Sequence, residues 1–199
     1  MKDYIEKIDP EAERRMISEP MEFREEGEEK FFQGYAFVYE TRTDIGEFTE
    51  EIARGAADDV MNNDVRALFN HDPNIVLGRT KSGTLKISSD ERGLRYQIKF
   101  NPNDSDHVNL RERIMRGDVS ESSFAFRKKT DKWEMRDGRK HRTVTKFQRL
   151  VDVSPVTYAA YNDATVAMRS MNLTEDNYKN DLAEMDLVAM KLQLNFKTK

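Results

Sequence analysis

A chain of 199 residues, 35% of them charged and 37% apolar, is long enough for one domain with a sizeable core plus appendages. A formal net charge of -4 gives no broad nucleic-acid footprint, the absence of cysteine excludes disulfides, a thiolate nucleophile and thiolate metal sites, and a list of three histidines argues against a multi-histidine metal centre. No apolar run approaches the ~20 residues that span a bilayer, and the opening Met1-Lys2-Asp3-Tyr4 carries no apolar signal segment.

Residues 1–30 hold 11 Asp or Glu against 6 Lys or Arg, a net -5, so the rest of the chain is close to +1. Few apolar anchors interrupt this charge, and the stretch reads as an acidic, disordered or loosely helical arm, or else as a removable segment. From Phe31 to Tyr39 both alternate faces carry aromatic or small residues, the pattern of a strand buried on both sides. Gly46 to Ile52 is expected to lead into a short helix capped by Thr49, with a second turn over Ala56–Met61. Val65–Phe69 reads as a strand that Asn70-His71-Asp72-Pro73 leaves, Pro73 ending regular pairing.

Ile75–Arg79 is a further short strand, and Lys81-Ser82-Gly83 a turn. Leu94, Tyr96, Ile98 and Phe100 alternate strictly with Arg95, Gln97 and Lys99, which marks a half-buried strand. Asp104 or Ser105 caps a helix to about Arg116, closed by Gly117, with Val108, Arg111, Ile114 and Met115 near one face, Leu110 to the side and His107 exposed. Ser123 to Arg127 is extended, and period two puts Ser122 on the core side with Phe124 and Phe126, while Ser123 faces away. Asp137-Gly138 turns a charged hairpin into a long strand over Val144–Val153, in which Asp152 opposes Val151 and Val153. Tyr178, Leu182, Met185, Ala189 and Leu192 stripe a final helix capped by Asn172 or Thr174. Repeated extended segments with short helices between them argue for a mainly β fold with helices (α+β): a closed or strongly curled β-barrel surrounded by short helices.

An isolated histidine at a strand end, His71, and a serine inside an apolar strand, Ser123, are the residue types of acyl transfer. A serine hydroxyl needs a base to take its proton, and imidazole, with an ordinary pKa near 6.5, suits neutral pH. One histidine and one serine alone are weak support, since any protein offers such a pair. More telling is the order of motifs: His71-Asp72, Leu77-Gly78, Gly83-Thr84-Leu85, Arg116-Gly117-Asp118, Ser123-Phe124-Ala125-Phe126 and Val151-Asp152-Val153-Ser154-Pro155-Val156-Thr157.

In that order and spacing, over residues 20–165, the chain resembles the prohead proteases of tailed bacteriophages. Ala125 stands where the family usually has glycine, and Asp152 where glutamate is common. The resemblance implies a herpesvirus-assembly-protease-like barrel. It also implies a serine endopeptidase that cleaves scaffold and major capsid precursor proteins, and itself, during head maturation. Ser123 would be the nucleophile, with Ser122 its competitor, and His71 the base. Asp152 would be the acidic third member; the herpesvirus relatives use a second histidine there, which keeps His141 as rival. No cofactor or metal is implied. The implied partners are the scaffold and the capsid precursor, with self-association left open and no membrane or specific nucleic acid. The implied place is the host cytoplasm, inside the assembling prohead. The divisions expected are an arm over 1–30, a protease domain over 31–165, and a linker with helix over 166–199. Two alternatives remain: a noncatalytic structural or scaffold-binding head protein, and a nucleic-acid-binding barrel using the basic hairpin around Trp133. Asp131, Glu134 and Asp137 interrupt that basic run and favour a solvated hairpin.

Overall fold

A computed structural model describes residues 12–17 and 20–157. Its strands are β1 (Glu13–Ile17), β2 (Glu22–Glu26), β3 (Glu29–Val38), β4 (Thr43–Asp44), β5 (Thr49–Ile52), β6 (Arg66–Phe69), β7 (Asp72–Arg79), β8 (Leu85–Ser89), β9 (Gly93–Lys99), β10 (Glu121–Arg136) and β11 (Arg139–Val156). A 3-10 turn covers Asp58–Val60, and one α-helix among the described residues, α1, covers Ser105–Arg116.

The longest strands, β10 and β11, are joined at Asp137 and Gly138, whose φ values of 54° and 75° are those of a two-residue hairpin turn of type I′. β10 pairs with β11 on one edge and with β1 on the other, both antiparallel. The free edge of β11 takes two parallel partners, β5 against His141–Val144 and β6 against Asp152–Val153. β4 and β7 extend this sheet beyond β5 and β6 respectively. A second sheet runs β2-β3-β9-β8. Phe37 of β3 meets Phe124 and Phe147 of the first sheet at centroid distances of 5.0 and 5.2 Å, so the aromatic core lies between the two sheets. Gly93 lets β9 lie close to β3: a Cβ there would stand 2.0 Å from the carbonyl oxygen of Phe37.

The expected barrel is therefore corrected to two sheets. Among the described residues neither is closed or curled into a barrel, because the edges of β4, β7, β2 and β8 remain unjoined there. The short helix expected after Thr49 is instead β5, drawn out by parallel pairing to β11. Pro73 does not end the strand. β7 runs through it, and the register jumps from Phe69–Asp72 to Leu68–Val76, so proline sits in a bulge where no ladder donor is required.

Part of the lead-in is also ordered. Glu13–Ile17 is an edge strand on β10, and Glu22–Glu26 pairs with β3. The helix is found where expected, with Asp104 accepting from the Asp106 N–H at 2.9 Å and Gly117 closing it at φ 80°. Its buried face is His107 and Leu110, however, while Met115 is 69% exposed. His107 stacks among Phe32 and Phe100, with ring centroids 5.7 and 6.1 Å away. The terminal helix read over residues 172–192 lies outside the described residues.

Candidate active site

Ser122 and Ser123 point to opposite faces of β10, as period two requires. Ser122 Oγ lies 2.7 Å from the hydroxyl of Tyr96 in the core. Ser123 faces the other way and meets His71, its Oγ 2.6 Å from Nε2. On the adjacent strand Ser154 opposes Ser123 and Asp152 opposes Ala125, so these side chains share the outer face of the sheet. A one-residue bulge helps to aim them. Ala125 faces Asp152 but Phe126 faces Leu150, so Val151 is the extra residue and both Leu150 and Val153 reach the core.

His71 comes from the β6–β7 turn. Asn70 and His71 have φ values of 53° and 57°, the pair of left-handed residues that a type I′ turn needs. Asn70 fastens this turn to the end of β11: its backbone N–H donates to the Pro155 carbonyl at 2.9 Å, and its side-chain oxygen accepts from the Thr157 N–H at 2.8 Å. The turn thus holds His71 over the sheet. Its Nδ1 is 2.6 Å from Asp152 Oδ1. A carboxylate only accepts, so Nδ1 carries the proton donated to Asp152, and Nε2 is left to accept from Ser123. Ser154 Oγ donates to the same Asp152 oxygen at 2.8 Å and steadies it. Ser123, His71 and Asp152 are all buried.

His141 is elsewhere. Its Nδ1 bonds Thr49 Oγ1 at 2.7 Å and its Nε2 lies 3.4 Å from Glu51. The geometry therefore joins Asp152, not His141, to His71. Asp72 turns away into its own loop, where it accepts from the Asn74 N–H at 2.9 Å. Among the described residues no group of three or more His, Asp or Glu converges in a metal-binding arrangement.

Sequence reasoning missed what covers the site. Met16 of β1 is registered opposite Ser123, and the Arg15 carbonyl oxygen lies 3.0 Å from Ser123 Oγ. The hydroxyl has one proton, so it serves either His71 or this carbonyl at a time. Glu13 and Arg15, two apart on one face of β1, reach a buried charge cluster. Arg15 sends Nε and Nη2 to the two carboxylate oxygens of Glu50 at 2.6 and 2.9 Å. Arg142 grips both oxygens of Glu13, and also bonds Glu50 at 2.7 Å and Asp131 at 2.8 Å. Burial pushes the Glu50 carboxyl up, but Arg15 and Arg142 outweigh it and hold it below its ordinary value. Burial works against the Arg142 charge as well, and Glu13, Glu50 and Asp131 more than reverse that. The only sign in sequence is the i, i+2 spacing of Glu13 and Arg15; their partners stand 35 to 129 residues away.

A family model described as caudovirus prohead serine protease matches residues 19–178. Among solved structures, that of the bacteriophage T4 capsid assembly protease is similar over 72% of this chain and 98% of its own, at 12% identity and a TM-score of 0.42, too low to carry an argument. No curated protein matches.

Proposed function

The chain belongs to the caudovirus prohead serine proteases, and from that premise we propose that Ser123, His71 and Asp152 are its nucleophile, general base and orienting acid. The family makes it a serine protease of phage capsid maturation, acting on capsid or scaffold proteins within the assembling capsid. The finer reading adds that its substrates are the scaffold, the major capsid precursor and its own leading segment. The observation that carries the assignment is the unbroken run of short contacts, Asp152 Oδ1 to His71 Nδ1 at 2.6 Å and His71 Nε2 to Ser123 Oγ at 2.6 Å.

Each residue then has a defined task. Ser123 Oγ attacks the scissile carbonyl carbon while His71 Nε2 takes the hydroxyl proton. Asp152 stabilises the imidazolium formed. His71 returns the proton to the leaving amine, the C–N bond breaks, and an acyl-enzyme remains. Water, deprotonated by His71, then releases the acid and restores Ser123.

Self-cleavage is supported by β1, which lies along β10 as an extended substrate would, with the Arg15–Met16 bond beside Ser123. Intact mass spectrometry of the full chain tests both parts. The unmodified chain is expected to lose everything before Met16, whereas Ser123→Ala keeps its full mass and its melting temperature. Cleavage by a folded Ser123→Ala protein, with contaminating protease excluded, overturns the nucleophile assignment.

A further inference from the structure

We infer that Glu50 and Arg142 are specificity subsites, selecting a substrate strand with arginine immediately before the scissile bond and an acidic residue two positions earlier. This rests on the reading of Ser123 as nucleophile and of β1 as lying in the substrate track.

Three of the cluster's members, Glu50, Asp131 and Arg142, belong to β5, β10 and β11 of the sheet; the other two, Glu13 and Arg15, belong to the strand beside the nucleophile. With the Arg15 carbonyl at Ser123, Arg15 takes the position before the bond and Glu13 the position two earlier. Both contacts are two-point. The Arg15 guanidinium meets both oxygens of Glu50, and both oxygens of Glu13 meet Arg142. Paired nitrogens and oxygens in this fork recognise shape as well as charge, so lysine, a single point donor, is a poorer fit than arginine.

Burial sharpens the choice. Arg15, Glu13, Glu50 and Arg142 are all buried, so a neutral residue leaves a desolvated charge short of a partner and a reversed one brings like charges together. The cluster also sets register. β1 is an edge strand held on one side by β10, and a slip of one residue would turn Arg14 and Met16 toward Glu50 and carry Glu13 and Arg15 off the cluster.

The test uses the full-length chain and a panel of decapeptides copying residues 11–20, with cleavage followed by mass spectrometry and Ser123 labelled in parallel by a serine-directed phosphonate. The parent peptide is expected to be cut between Arg15 and Met16 at least tenfold faster, in kcat/KM, than peptides carrying Arg15→Gln or Glu13→Gln. The Arg15→Glu peptide should lose a hundredfold or more, and Arg15→Lys should fall between. Equal rates across the panel, or cleavage at another bond, overturn the subsites while leaving the serine protease intact. Phosphonate labelling without cleavage of any peptide also overturns the subsites alone. Absence of both labelling and cleavage overturns the nucleophile assignment, and the subsites with it. A Glu50→Gln chain should lose the preference for arginine over glutamine. Because the panel on the unmodified chain decides the matter, a Glu50→Gln protein that misfolds leaves the test standing.

Discussion

At the scale of single residues, the proposed roles divide the hydrogen-bond chain into groups that react and groups that position. Asp152→Asn keeps the size of the side chain but removes its charge and lets the imidazole adopt the other tautomer. Turnover should fall by about 10³–10⁴-fold in a protein that still melts normally. His141→Gln, a change at a histidine engaged by Thr49 and Glu51, should alter turnover little once folding is checked by circular dichroism. Ser154 touches neither Ser123 Oγ nor His71 Nε2; it donates to Asp152, and its Oγ lies 3.2 Å from His71 Nδ1. Ser154→Ala should cost about tenfold, on the scale of one supporting hydrogen bond, and Ser154→Thr, which keeps the hydroxyl, should recover most of it.

Much of this site is legible in the sequence. Alternation separates Ser123 from Ser122, and His71 and Asp152 stand in motifs with recognisable spacing. The charges of Glu13, Arg15, Glu50 and Arg142 are not legible as a cluster, because each is a polar residue in a polar stretch and reads as solvated. Only the sheet brings them together.

At the scale of elements, the misread stretches share a cause. Thr49-Glu50-Glu51-Ile52 has no strand pattern of its own, and glutamate is disfavoured in strands, yet Thr49 bonds His141 and Glu50 joins Arg142 across the parallel pairing to β11. Tertiary partners overrode local preference there. α1 shows the opposite balance: its caps were readable, but which face it buries was decided by a histidine.

Burial lowers the pKa of His107, and its Nδ1 accepts from the Asn101 N–H at 3.3 Å, which requires the neutral ring. The unfolded chain therefore binds the extra proton more readily. His107 contributes its full stability above about pH 6.5 and loses it as pH falls from there through the depressed folded value. Melting temperature followed from pH 7.5 to 5 should fall less steeply in His107→Gln than in the unmodified chain. Gly93 offers a test of the sheet itself. The alanine methyl would press on the Phe37 backbone, which cannot move aside like a side chain. Gly93→Ala should cost about 3 kcal/mol or more in thermal or denaturant unfolding.

At the scale of the whole molecule, two sheets face each other across an aromatic core while the proposed nucleophile, base and acid lie on the outer face of one of them. Mutations that thin the core and mutations that stop catalysis should therefore separate. Ile98→Val, in the second sheet, should lower stability by about 0.5–1.5 kcal/mol and leave the ratio of parent-peptide to Arg15→Gln-peptide cleavage unchanged. The same arrangement explains why architecture was harder to read than chemistry. Alternation reveals strands one at a time, whereas closure into a barrel or separation into two sheets depends on which edges meet, and parallel partners such as β6 and β11 are far apart in the chain.

The pairing of β1 with β10 carries a temporal consequence. Arg15 and Ser123 are 108 residues apart, so β1, made well before β10, must wait for most of the domain before it finds its partner. β6 and β7, β8 and β9, and β10 and β11 all join near neighbours, and can form while β1 is still unplaced. The β10–β11 hairpin that carries Ser123 and Asp152 can thus form before β1 arrives, whereas His71 joins it only when β6 meets β11, across 81 residues of chain. Until β1 pairs, the edge of β10 beside Ser123 stays open. Pulse-labelling hydrogen exchange during refolding should find the amides of residues 13–17 protected after those of β10 and β11. Protection of residues 13–17 first would reverse that sequence of events.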